Sequence, residues 1–325
     1  METTKPSWIE EGVGTIGRWL RRHSRSVSAI LMVGIFGLLV WQLVLGWHNL
    51  PPGFFSNVRH PLLLASLAAL IPALLLVSLR WGLTLRAMKV PIGWWTSIRI
   101  WFLSQAGRYV PGGVWSYVGR FYLGQSEMAQ EAIVASMVLE TGLRVVSEVL
   151  VFLLSLPFWT DTGFLSMKIV FLLIGGVGLS LLLLHPALLE RLSGMALLQR
   201  VGLSPVDLSG LRYRNVLVLL AYYILTVIVV GGSFYLLVVA LYPVPVRLLP
   251  ALTGSLAASV VLGFLVPLAP NGWGVREGML AFLLSQMMPS SVAIVISAAA
   301  RIWLGLGEAT WILAMVCLRK ASKPG

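Results

Sequence analysis

A single cysteine, Cys317, and two aspartates, Asp161 and Asp207, are all that this sequence holds of two of the commonest chemistry-bearing residues. One cysteine excludes an internal disulfide and any thiolate-based metal cluster. The four histidines, His23, His48, His60 and His185, are scattered at the ends of apolar stretches, so no zinc site or imidazole proton relay is written in the chain. No Ser-His-Asp set, HExxH, P-loop or DxD-type sugar-nucleotide site occurs. The reading is therefore of a protein that is not an enzyme and that needs no cofactor and no metal. Charge is scarce too: only 11% of the 325 residues are Asp, Glu, Lys or Arg. About a quarter is usual in a soluble domain.

What fills the space is apolar. Hydrophobic residues make up 58% of the chain and the mean hydropathy is +0.89, which a helical membrane protein accommodates and a soluble one does not. The net charge of +12 would suggest nucleic acid in a soluble protein. Here it reads as positive-inside loops and contact with anionic lipid, with no nucleic acid involved. The first apolar run is too long for a cleavable leader and lacks a small-residue exit, so it is expected to stay in the membrane.

Taken in order, residues 1–26 form a basic, amphipathic cytoplasmic segment, 27–318 a single transmembrane domain, and 319–325 a basic cytoplasmic tail. Full spans are expected at 27–47, 62–79, 132–156, 163–184, 215–241 and 291–318. Between them lie two Pro/Gly-broken hairpins, 91–125 and 249–288, within halves 62–185 and 215–318. The fold expected is thus all-α and polytopic, with about six spans, two re-entrant hairpins and an inverted-topology pseudo-repeat. With the N-terminus inside, most of the 24 basic residues fall in cytoplasmic segments, including those in 80–120 and 191–214. Arg59, Lys168, Arg247 and Arg276 fall outside, and Arg144 and Arg301 fall within the membrane. That asymmetry places both termini in the cytoplasm of a cell (inner) membrane.

The organising stretch is QAGRYVPGGVWSYVGRFYLG at 105–124, followed by an apolar helix carrying Glu140, Arg144 and Glu148. These three stand at i, i+4 and i+8 and share one helix face. Facing lipid they would cost several kcal/mol, so they are expected to point inward. A second copy follows: PLAPNGWGVREG at 267–278, then AIVISAAARIWLGLGEATW at 293–311, where Arg301 and Glu308 share a face. Broken segments at corresponding places in two halves mark the binding site of many transporters. Arg108 and Arg120, flanking Pro111, Gly112 and Gly113, offer guanidinium forks and free backbone N–H groups to a phosphate. Arg276 beside Pro270, Gly272 and Gly274 does the same. The alternatives are an ion-pair ladder that only fixes packing and ordinary cytoplasmic anchors. The thirteen tryptophans read as interfacial belts, with Trp115 and Trp273 set apart because they stand inside the breaks.

At these blocks the chain resembles the transmembrane region of lysylphosphatidylglycerol synthases, the flippase part of the bacterial multiple-peptide-resistance protein. Pro111, Gly112, Arg120 and Glu140 follow that family's first motif, and Pro270, Gly272, Gly274 and Glu277 its second, with Arg301 after it. The resemblance implies two re-entrant hairpins and movement of a lipid head group between leaflets. No counterpart of the soluble aminoacyl-transferase part is read in these residues, so a lysine-charged lipid is not the expected substrate. The expected substrate is an anionic phospholipid or a polyprenyl-phosphate-linked sugar. The second reading is a membrane subunit or scaffold for a lipid-modifying or glycosylating enzyme. A homo-oligomer and a partner enzyme both stay open.

Overall fold

A computed structural model describes residues 50, 52–109, 115–159, 166–183, 185, 211–266, 272 and 274–321. The basic N-terminal segment, the span at 27–47, the loop before 211, the last tail residues, and Pro111, Gly112, Gly113, Pro270 and Trp273 lie outside the described residues.

Every regular element among the described residues is helical. The α-helices are α1 (His60–Ala87), α2 (Trp94–Gln105), α3 (Trp115–Gly124), α4 (Gln130–Ser155), α5 (Met167–Leu183), α6 (Tyr213–Leu241), α7 (Leu249–Leu265), α8 (Val275–Leu284) and α9 (Ser290–Ala321). Pro61 and Pro250 sit where a missing N–H costs nothing, in the first turns of α1 and α7, whereas Pro72 lies inside α1.

Four stretches are long and apolar enough to cross a membrane: His60–Ala87, Tyr213–Leu241, Val246–Leu265 and Ser290–Leu318. Three coincide with spans expected from the sequence. Val246–Leu265 was expected only as a hairpin arm, yet by length and composition it qualifies as a span. The charged helix α4 has 26 residues, about 39 Å at 1.5 Å per residue, but carries its three charges in the middle. The expected span at 163–184 appears as the 17-residue α5.

Packing interleaves the two halves. α1 lies along α6; α4, from the first half, packs on α7 of the second; α9, from the second, packs on α1 and α2 of the first. Phe102 of α2 stacks on Trp311 of α9, with ring centroids 5.1 Å apart. Trp311 also donates to the carbonyl of Ile71 at 2.8 Å. Serines make much of the buried polar surface, and they close it locally. Ser66, Ser78, Ser136, Ser155 and Ser259 each donate to a carbonyl one turn back, so small polar residues face neighbouring helices without an orphaned hydroxyl.

The turn from α3 to α4 recurs between α8 and α9. Gln125, Glu127 and Met128 donate to the carbonyls of Phe121, Gly124 and Gly124, and Ser285, Met287 and Met288 donate to those of Ala281, Leu284 and Leu284. The two broken segments also depend on glycine in comparable ways. A Cβ on Gly107 would stand 2.6 Å from the Trp115 carbonyl, where α3 folds back on the end of α2. Gly272 has φ +67°, and a Cβ there would stand 2.7 Å from Cα of Gly263. Gly272→Ala therefore adds a left-handed conformation and a backbone clash together. We expect it to lower stability by about 1–3 kcal/mol, read as a lower unfolding temperature in detergent, whereas Gly278→Ala, with nothing within 4 Å, should change it little.

Candidate functional site

Every described α-helix except α5 contributes to one cavity of about 380 Å³. Arginines from five different segments reach it: Arg80 from α1, Arg108 from the turn after α2, Arg120 from α3, Arg144 from α4 and Arg276 from α8. Glu140 and Glu148 of α4 and Glu308 of α9 are the carboxylates on its wall. The charged face read from the sequence of α4 thus points inward, as its cost in lipid demands.

The pairing differs from the ladder that the i, i+4, i+8 spacing suggested. Glu140 does not hold Arg144. One of its oxygens takes the guanidinium of Arg120, and the other accepts the indole N–H of Trp101 at 3.1 Å. Arg120 lies 5.1 Å from the ring centroid of Trp81 and 6.0 Å from that of Trp101, and Trp81 donates to Ser136 at 2.9 Å. This knot ties α1, α2, α3 and α4 together, and Arg120 is only 4% exposed. Arg144 pairs with Glu148 one turn on, at 3.2 Å. Arg301 pairs with Glu277 at 3.5 Å, while Glu277 also accepts the N–H of Gly274 at 2.6 Å and so caps α8. Gly274 itself holds φ +81°. Charge is reversed between the halves: the first hairpin brings Arg120 to Glu140, the second Glu277 to Arg301.

Arg108 and Glu308 join the turn of the first hairpin to the last helix at 2.8 Å. Three ion pairs thus sit on the cavity wall, and two arginines on it, Arg80 and Arg276, form no ion pair among the described residues. The wall carries a net positive charge.

Arg80 is the main correction to the sequence reading, which ended the second span at Leu79 and put Arg80 in a cytoplasmic loop. α1 continues for two more turns, and Arg80 is 5% exposed. It donates to Thr226 Oγ1 at 2.6 Å and to the Tyr223 carbonyl at 3.1 Å, with its guanidinium 4.9 Å from the Tyr223 ring centroid. The signal was there: WGLTLRA carries no Gly-Pro break, and its apolar spacing continues the helix. Arg80, Arg108 and Arg120 therefore drop out of the loop charges that bear on orientation. Sequence reasoning also missed the neutral polar lining, Gln105, Ser116, Tyr117 and Thr141, because uncharged polar residues in an apolar helix leave no conspicuous mark.

Of the other expected site residues, Gly272 lines the cavity, whereas Gly274, Glu277 and Arg301 do not. Trp115, set apart from the interfacial tryptophans, is 45% exposed and not on the wall.

A helical membrane protein with ionised side chains gathered around a positively charged cavity is the class these observations define. The chain belongs to the lysylphosphatidylglycerol synthase TM region family, whose model matches residues 27–305, and a membrane, lipid-related role follows from that membership. No curated protein and no solved structure matches the chain significantly.

Proposed function

We propose that the protein moves the head group of an anionic lipid, a phospholipid or a polyprenyl-phosphate-linked sugar, from one leaflet to the other. The observation that carries this reading is the excess of arginine over glutamate on the wall of a cavity bordered by both broken segments. A phosphate at the bilayer centre meets a barrier of several kcal/mol or more. Guanidinium groups already inside the membrane lower it, since each offers a fork of donors to phosphate oxygens. The acyl or prenyl tail stays in lipid while the head group passes from one arginine to the next.

In this reading α2–α3 and α7–α8 are re-entrant hairpins entering from opposite faces, α4 is a full span, and the halves form an inverted repeat. The recurring turn, the crossed packing of α4 on α7 and α9 on α2, and the reversed pairs Arg120–Glu140 and Glu277–Arg301 support it. Alternating access would then rock one half against the other.

Two experiments test the proposal. Purified protein in vesicles should accelerate the exposure of labelled anionic lipid to an added quencher, and a rate equal to that of protein-free vesicles would count against transport and in favour of the scaffold reading. In a Cys317→Ser background, Arg212→Cys should be labelled from the cytoplasmic side only and Arg247→Cys from the outer side only. Labelling of both from one side would overturn the inverted arrangement.

A further inference from the structure

We infer that Glu148 is a proton-binding site that couples lipid movement to a proton gradient, one proton crossing with each anionic head group. This rests on the transport reading and adds a second transported species to it. Glu148 is 6% exposed and lines the cavity. Its Oε1 accepts one N–H, Nε of Arg144, at 3.2 Å. Its Oε2 is buried and has no hydrogen-bond partner among the described residues. The other paired glutamates are better served: Glu140 holds both Arg120 and Trp101, and Glu277 both Arg301 and the N–H of Gly274. A buried carboxylate with a bare oxygen is costly, and intramembrane carboxylates are the usual proton carriers of pumps and transporters.

Arg144 is the only ion-pair partner of Glu148 among the described residues, and it also lines the cavity that the phosphate is to enter. Its side chain is 22% exposed against 8% for Glu148, so the arginine is the partner able to turn to a ligand. When it does, Glu148 keeps a buried negative charge with no counter-ion. A proton from the water on the open side of the cavity removes that charge by forming an O–H bond at Oε2. On the far side the lipid leaves, Arg144 returns to Glu148, and the proton goes back to water. Head group and proton cross as a neutral pair, so membrane potential opposes neither. The other charged or titratable groups around Glu148 are Glu140 on its own helix, Arg80 of α1, Tyr117 and Arg120 of α3, and Tyr223 of α6. Arg108, Arg276 and Glu308 share the cavity lining. α7, which packs closely on α4, carries no titratable residue, and Lys168, the only one in α5, stands in that helix's first turn.

The test uses the full chain in phosphatidylcholine vesicles with trace labelled phosphatidylglycerol and a lumen about one pH unit more acidic than the outside. At steady state the outer leaflet should hold about tenfold more label than the inner, the ratio that such a gradient supports at one proton per lipid. A protonophore should return the leaflets to equality, and Glu148→Gln, whose amide carries no exchangeable acid proton, should show no asymmetry. Label that exchanges in the wild type yet stays evenly distributed would overturn the inference. If no lipid moves, the transport reading fails by itself, and calorimetry then decides the proton site. Titrating the purified protein with phosphatidylglycerol, in buffers of unlike ionisation enthalpy, should show uptake of about one proton per lipid bound. Arg144→Gln, which strips Glu148 of its counter-ion beforehand, should bring that uptake to near zero, and it serves even if Glu148→Gln does not fold. No lipid bound by the wild type, no proton taken up, or undiminished uptake in either variant refutes the inference.

Discussion

Glu140→Gln and Arg120→Met are each expected to unfold the protein before they slow it. The two residues form a buried pair on which four helices converge: Arg120 on α3, Glu140 on α4, Trp101 of α2 donating to the carboxylate, and Trp81 of α1 facing the guanidinium. Breaking such a pair leaves an uncompensated charge at a buried position, which costs about 3–5 kcal/mol. That is a large fraction of the stability of most proteins. The measurement is the fraction of monodisperse protein after detergent extraction, together with its unfolding temperature. The double variant Arg120→Met with Glu140→Leu should recover much of the loss, because no charge is then stranded. A single variant as stable as wild type, with transport lost, would move the pair from the scaffold to the substrate path.

Arg80→Met and Arg276→Met should behave in the opposite way, with normal folding and transport lowered about 10–100-fold each. Neither guanidinium forms an ion pair among the described residues, so removing it strands no carboxylate. Methionine keeps the apolar stem that packs in the helix. At Arg80 the partners left behind stay satisfied among themselves, since Thr226 donates to the Tyr223 carbonyl at 2.7 Å. What is lost is a charge-assisted contact to phosphate, about 1.5–3 kcal/mol, felt where the head group is farthest from water. Lysine should restore part of the rate at either position, since the charge returns without the two-pronged fork. Unfolding temperatures unchanged while flipping falls would confirm that these arginines serve substrate. Flipping within about twofold of wild type for both would leave the net charge of the cavity without a function.

Membrane residence, helical architecture and the inward face of α4 were legible in the residues alone. Each follows from a local rule: hydrophobic runs long enough to cross a bilayer, and a cost for ionised groups in lipid that admits one orientation. The break in the second segment was legible as well, since Gly272 and Gly274 stand in left-handed backbone that few other residues tolerate. Partners were not. Spacing on a helix shows which charges share a face, and on that basis Glu140 belonged with Arg144. The carboxylate instead takes Arg120, which α3 delivers from a separate segment. Arg80 shows the same limit from the other side. A basic residue after an apolar run reads as the end of a span, and only the packing of α1 along α6, which brings Thr226 and Tyr223 to it, makes a buried place for the charge. Sequence determined which groups must leave lipid, because transfer energies are properties of single residues. Tertiary structure decided which of them neutralise each other and which form no ion pair among the described residues, because Coulomb energy depends on distances between segments far apart in the chain.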